Sequence, residues 1–479
     1  MIFSTYTFIF AFLPIVLLVY FGMSKFVSRK IQHIFLILAS LVFYGYTNPW
    51  YVLLIMTSIV INYAAAIKIE NAEKNNIRKL AFIIGVLFNV LLLGYYKYYD
   101  FFVDNINQVF STSYTLKHII LPIGISFFTF QQIATLISLW KKEIKVPSFL
   151  DFSLFISFFP QLVAGPIVFA QDVMSQYRND QKRFFNIDNF SKGTFIFIIG
   201  LFKKIVIADS LNHIVSQGFY QPEYINFSQA WISSISYTLQ IFFDFSGYSD
   251  MAIGLAKMFN IDLPVNFYSP YKSKSITEFW KRWHITLGRS LAVLIYFPLG
   301  GNRKGLARTC LNLFLVFFVS GIWHGAAWTF ILWGVLHGVV RIFEKLFDKY
   351  LDKIPTIIRI FFTFMFVNAA WVLFRSKSIE QGLIFLKKMF LPTAEEMEFT
   401  RISYLTTDGI LTYPYWIEVS YIIGMLAILL SILFFYPKNS IDLYNEFKPT
   451  KKIGFIIAAI FCISIIHLSR VSPFIYFNF

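Results

Sequence analysis

An all-α polytopic membrane protein is the fold class this sequence predicts, with about 11 transmembrane helices plus re-entrant and interfacial helices. Three observations carry that prediction. Of the 479 residues, 57% are hydrophobic and 20% aromatic, with 59 phenylalanines. Apolar stretches near the length that spans a bilayer, about 20 residues, recur along the chain. Lys and Arg concentrate in alternate loops, as they do on the cytoplasmic side of membrane proteins.

The apolar segments fall at 3–22, 31–46, 50–67, 80–96, 119–139, 193–217, 229–256, 309–340, 356–374, 415–436 and 453–468. The first has no basic residue before it and no small-residue cleavage site after it, so it reads as a retained helix rather than a cleaved signal. The 309–340 run is long enough to break into two pieces. Pieces at 152–170 and 285–300 carry Gly and Pro and read as re-entrant or broken. Irregular backbone at membrane depth is tolerated only where protein or a cavity surrounds it. No internal repeat is visible, which argues against the inverted-repeat transporter folds. The chain therefore reads as one domain over 1–479, with its motif-bearing core at about 119–375.

The formal charge is +16. Its distribution points to membrane orientation rather than to a nucleic-acid partner. Lys25, Arg29 and Lys30 follow the first helix, Lys68, Lys74, Arg78 and Lys79 the third, and Lys141, Lys142 and Lys145 the fifth. Thr47-Asn48-Pro49 has no basic residue, the stretch 97–118 has only Lys97 and Lys117, and 218–228 has none. Lys272, Lys274, Lys281 and Arg282, and later Lys438, Lys448, Lys451 and Lys452, then belong inside. Both termini and the largest loop, 375–414, face outward on this pattern. The two cysteines, Cys310 and Cys462, both lie in apolar stretches and support neither a disulfide framework nor a thiolate metal site.

Two stretches between the apolar runs invite closer reading. Ser275 or Thr277 caps a helix starting at Glu278, aromatic on one side and basic on the other. Trp280, Trp283, Lys281 and Arg282 place that helix in the cytoplasmic interface, where the two cations would face solvent, lipid or the phosphates of a ligand. The turn Gly300–Gly305, with Asn302, ends the region. In 341–353, Arg341, Lys345, Lys349 and Lys353 recur every fourth residue among Glu344, Asp348 and Asp352. That pattern reads as a solvated helix stitched by i,i+4 pairs.

The chain has seven histidines. His324 stands out, in Ser320-Gly321-Ile322-Trp323-His324-Gly325, deep in an apolar run. An imidazole there needs a partner or a polar cavity, and it is the side chain best suited to moving protons near neutral pH. The local residues leave open a structural role bridging two helices. His337 follows 13 residues later. On one continuous helix the two would point about 140° apart. His284 closes the Trp280–Trp283 stretch, and His33 and His118 sit near charge at helix edges. His213 and His467 lie late in apolar segments without a polar motif. Asp244 and Asp250 place two carboxylates in an apolar helix, and Asp209 follows Lys203-Lys204. Such acids act as functional groups or as salt-bridge partners between helices, and the spacing leaves both open. No ligand spacing argues for a metal at His324, Asp244 and Asp250. There is no phosphate loop, His-Glu-x-x-His, Gly-x-Ser-x-Gly or zinc-type Cys/His spacing.

An ordered set of motifs adds a further reading. It comprises Leu121–Gln131, Phe159–Ile167, Phe243–Met251, Glu278–Ile285, Pro298–Gly305, Gly321–Gly325, Trp371–Arg375 and Pro473–Phe479. Together these resemble the membrane-bound O-acyltransferase superfamily, in the bacterial branch that O-acetylates alginate or peptidoglycan, over nearly the whole chain. The resemblance implies helices around a central tunnel, with His324 as catalytic residue and His284 as a second polar residue. Asp244, Asp250, Trp280, Trp283, Asn302 and Trp323 would then line the tunnel or contact substrate. It implies no tightly bound cofactor and no metal, with acetyl-CoA or another acyl donor as substrate. The implied partners are an extracytoplasmic acetyltransferase, an envelope polysaccharide and membrane lipids, with no nucleic acid. The implied location is the bacterial cytoplasmic membrane. The chain departs from the branch pattern at Gly288–Tyr296 and at Ile133–Lys141, where the branch carries Arg-Asp-Tyr and Asp-x-Tyr-Arg. Donor or partner contacts should differ there. A transporter or flippase for a lipid-linked glycan, and a D-alanyl transfer protein, are the competing readings.

Overall fold

The computed structural model describes residues 1–394 and 415–470 and, between them, the antiparallel strand pair Leu405–Thr406 and Gly409–Ile410. The motif Pro473–Phe479 and most of the 395–414 stretch lie outside the described residues. Each apolar segment predicted from hydropathy contains helix. Among the described residues, five helical runs are long and apolar enough to cross a membrane: Phe8–Lys25, Trp50–Asn71, Asn75–Phe110, Gly305–His324 and Thr356–Arg375.

The structure corrects the element boundaries in two places. The stretch 97–118, read as a loop, begins with helix, because Asn75–Leu93 continues through a π-helical turn into Tyr99–Phe110. The loop after Arg375 opens with a further helix, Ile379–Phe390, capped by Ser378, whose side chain accepts from Gln381 N. The 309–340 run does break, between helices Gly305–His324 and Trp328–Leu351. The 152–170 piece is broken too. Helix Phe149–Ser157 stops at Phe158, and only the short Phe159–Leu162 follows before Ala170.

The chain divides into two compact units. The first comprises Met1–Leu201, Tyr248–Asn266 and Tyr444–Ser469. Inside it, helices Trp50–Asn71, Asn75–Leu93 and Ile125–Trp140 are joined by a buried amide network. Ser58 Oγ and Asn62 Nδ2 both donate to Gln132 Oε1, at 2.7 and 2.8 Å, and Asn89 Nδ2 donates to Asn62 Oδ1 at 2.6 Å. Polar side chains bonded across helices are a recurring way to fix packing where lipid supplies no hydrophobic drive between helices.

The second unit comprises Phe202–Gly247 and Phe267–Leu443. Its frame is the hairpin of Gly305–His324 and Trp328–Leu351. Gly321 and Gly334 sit where these helices touch backbone to backbone. A Cβ on Gly334 would strike Phe317 O, and one on Gly321 would strike Phe330 O. Small residues at such crossings let helices approach closely. Elsewhere in this unit, Thr238 Oγ1 donates to Asn368 Oδ1 at 2.6 Å, Asn368 Nδ2 donates to Ser234 Oγ at 2.9 Å, and Tyr271 Oη donates to Thr238 O at 2.6 Å.

Candidate functional site

His324 is the last residue of its helix, and the chain turns extended at Gly325. Gly325-Ala326-Ala327 separates it from the helix that starts at Trp328, with Gly325 and Ala327 extended, and a side chain on Gly325 would collide with the Phe330 ring. The imidazole is 3% exposed and walled by aromatic faces. Ring centroids of Trp323, Trp333 and Phe374 lie 5.0, 5.1 and 5.3 Å from it, all edge-on. The close Gly321–Gly334 crossing brings Trp333, on the returning helix, against a residue nine positions earlier.

His284 is fully buried and caps helix Ile285–Leu291 in a left-handed conformation, φ 44° and ψ 52°. Few residues other than glycine adopt that geometry. The turn ends one short helix and starts another, and so fixes the imidazole. Its ring meets Phe245 at 4.7 Å and Trp323 at 6.1 Å. The two sequence-nominated histidines therefore share one neighbour, Trp323.

Trp283 departs from the interfacial reading. Helix Ile276–Arg282 begins two residues earlier than predicted, with Ser275 Oγ accepting from Glu278 N at 3.0 Å. Trp283 is fully buried against Phe267, Phe279 and Trp371. The aromatic side thus faces protein, because rings suit a packed core as well as a membrane interface. Lys281 is exposed, while Arg282 pairs with Glu278 at 2.7 Å. Burial works to raise the Glu278 carboxyl. The Lys274 N–H and the Arg282 guanidinium outweigh it and hold the group below its usual range.

His337 joins the site by a route the sequence hid. The helix break at 325–327 removes the single-helix phase argument. His337 is fully buried 4.7 Å from Trp333, which itself packs on His324. Trp280 Nε1 donates to His337 Nδ1 at 3.2 Å, so the ring proton sits on Nε2.

Glu344 was read as part of a solvated extension, and the structure corrects this. The helix does run on to Leu351, but the Arg341 and Glu344 side chains are largely buried and pair at 3.1 Å. Glu344 accepts from the Ile276 and Thr277 amides and from Thr277 Oγ1, and Arg341 donates to Thr277 Oγ1. A carboxylate here satisfies free N–H groups at the positive end of the short helix that leads to His284. A helix of seven residues does not hold itself in place. Glu344→Ala should therefore lower activity on the order of 10²-fold by letting His284 drift, with Glu344→Gln retaining more. Activity at matched membrane levels measures this. Full activity in Glu344→Ala would show that the clamp does not position the site.

The acids resolve differently. Asp244 lies in an ion triad with Lys204 and Asp209: Lys204 Nζ is 2.7 Å from Asp244 Oδ1 and 2.6 Å from Asp209 Oδ1, all three buried. Lys204 was not nominated from sequence. It sits in a π-helical turn, Lys203–Ala208, that precedes helix Asp209–Tyr220. Asp250 is buried in the first unit and is not part of this triad. Asn302 is exposed in its turn. The buried residue there is Asn312, whose Nδ2 donates to Gly301 O at 2.8 Å and pins the turn.

The family described as MBOAT, membrane-bound O-acyltransferase family, matches residues 36–379, which include every site residue above. Over its whole length the chain is 40% identical to the peptidoglycan O-acetyltransferase of Helicobacter pylori, spanning 98% of that protein. It is 33% identical to a probable alginate O-acetylase of Pseudomonas putida over the full length of both. A teichoic acid D-alanyltransferase of Bacillus subtilis is 27% identical across 53% of this chain and 69% of its own.

Proposed function

The chain belongs to the membrane-bound O-acyltransferase family, and from that premise we propose that it moves acetyl groups from a cytoplasmic thioester, acetyl-CoA or an equivalent, toward hydroxyls of an extracytoplasmic cell-envelope polysaccharide. The observation that carries the reading is the buried His324 at a helix break, walled by aromatic rings, in a chain of this family. As general base, His324 takes the acceptor hydroxyl proton while the oxygen attacks the thioester carbonyl. The C–S bond breaks, and the thiolate leaves with the proton returned by the imidazolium. General-base catalysis of this kind contributes about 10²–10⁴-fold. His284 orients the donor or steadies the developing oxyanion. A tunnel meeting at His324 lets the acyl group cross without its carrier, and a separate extracytoplasmic acetyltransferase completes delivery.

Peptidoglycan is the favoured acceptor, since the 40% identity to a peptidoglycan enzyme runs end to end. An alginate-like polymer is the second reading, supported by end-to-end identity of 33%. In this reading the protein sits in the bacterial cytoplasmic membrane with about 11 crossings and both termini outside, as the Lys/Arg asymmetry supports. Reporter fusions should then signal outside at Asn48 and inside at Asn76 and Asn445.

The test is chemical. Deleting the chain from its own host should remove ester-linked acetate from the murein and restoring it should return the acetate, and purified protein should consume acetyl thioester in step with transfer. Acetate on an exopolysaccharide alone would replace the acceptor. Substrate movement without thioester consumption would replace the enzyme with a transporter.

A further inference from the structure

A second feature, inside the first unit, is absorbed by none of this. Helix Ile187–Phe202 and helix Lys451–His467 leave a groove of about 300 Å³ between them. That is the lower end of small-molecule sites. Its walls are apolar: Ile187, Phe190 and Phe195 on one side, Phe447, Ile453 and Ile457 on the other. Phe195 and Phe447 meet at 4.5 Å between centroids. Gly454 lines the groove, and a Cβ there would meet nothing within 4 Å, so the space persists up to the backbone.

The charge at one end has one dominant sign. Lys448, Lys451 and Lys452 are exposed beside the lining residues Phe447, Pro449, Thr450 and Ile453. Lys192 approaches from the facing helix, its Nζ 4.4 Å from the Tyr444 ring centroid. Burial, with Lys257 adding to it and Asp262 opposing it, holds the Lys192 ammonium below its usual range. Thr450 Oγ1 caps the second helix by accepting from Ile453 N, which sets the positive end of that helix at the same end. Asp188 and Glu446 are the acids nearby in sequence, two against four lysines, and Asp262, the acid near Lys192, is itself paired with Lys182 and Lys257.

We propose that this groove binds an anionic phospholipid, with one acyl chain between the helices and the phosphate on Lys448, Lys451, Lys452 and Lys192. The apolar slot demands a hydrocarbon chain, and the lysines select a negative headgroup over a zwitterionic one. Basic pockets between membrane helices bind such headgroups by the same physics.

The full-length protein is purified in detergent, offered equimolar phosphatidylglycerol and phosphatidylethanolamine, and weighed by native mass spectrometry. Phosphatidylglycerol should be retained preferentially. The triple substitution Lys448→Gln, Lys451→Gln, Lys452→Gln should weaken its retention on the order of a hundredfold, leaving phosphatidylethanolamine retention unchanged. Gly454→Leu should fill the slot and reduce retention of both lipids, with the protein folded by unchanged thermal melting. Equal retention of the two lipids by the wild type would overturn the proposal. So would unchanged phosphatidylglycerol retention in the triple variant. A lipid-free dimer that Gly454→Leu dissociates would assign the groove to a second copy of the chain instead.

Discussion

His324→Ala should abolish envelope acetylation while the protein still inserts and folds. The imidazole is packed by the Trp323, Trp333 and Phe374 rings, so its removal leaves a void in that aromatic wall. Such a void costs stability but does not unmake a helical hairpin held elsewhere by the Gly321–Gly334 crossing. The chemical loss should be about 10²–10⁴-fold. Acetate released from purified murein by mild alkali, at matched membrane levels, measures it. His284→Ala should fall less far, because orientation is easier to replace than proton transfer. The structure sharpens the expectation for His337→Ala. Sequence periodicity alone places His337 about 140° from His324 on a single helix. Its contact with Trp333 and its bond from Trp280 put it in the site's packing, so an intermediate loss is expected. Normal acetylation by His324→Ala would remove it as the base. Equal losses in all three variants, with poor expression, would mean that the histidines hold the fold.

The largest stability effect should come from Lys204→Met. Lys204 is the cation that Asp209 and Asp244 share, and all three are buried. Removing it leaves two carboxylates facing each other in a poorly solvated region. Breaking a buried pair from one side typically costs about 3–5 kcal/mol. The variant should reach the membrane in small amounts and melt early in a detergent thermal-shift assay. Adding Asp209→Asn and Asp244→Asn should restore much of the loss, since neutral groups no longer need the ammonium. A Lys204→Met protein as stable as the wild type would show that the triad is not a structural tie. Stable triple-variant protein that lacks activity would give the triad a part in the reaction.

Hydropathy made the helical character and most segment positions legible, because a spanning segment must be apolar along its length. His324 was also legible, as a polar side chain where none is expected, and His284 only through the motif resemblance. What sequence could not show was pairing across distance. Asp244 gave no sign of its partner, because Lys204 lies on another helix and reaches it from a π turn. Glu344 carried the i,i+4 spacing of a solvated helix, and nothing in that periodicity reveals a second helix end beneath the same carboxylate. Trp283 failed in the opposite way. Aromatic and basic residues together suit both a membrane surface and a packed core, and only the tertiary contacts decide between them.

The π-helical turn at Lys203–Ala208 makes chain length itself a determinant. Such a turn carries one residue more than the α-helical path it interrupts. In a regular α-helix Lys204 and Asp209, five residues apart, would point about 140° apart. The wide turn sets them on one face, where they meet at 2.6 Å. Loss of one residue between them would close the turn to the α-helical path, leave the pair four apart and in reach, and keep Asp209–Tyr220 near its present phase. An added residue would swing Asp209 off Lys204, so this turn should tolerate shortening by one residue better than lengthening.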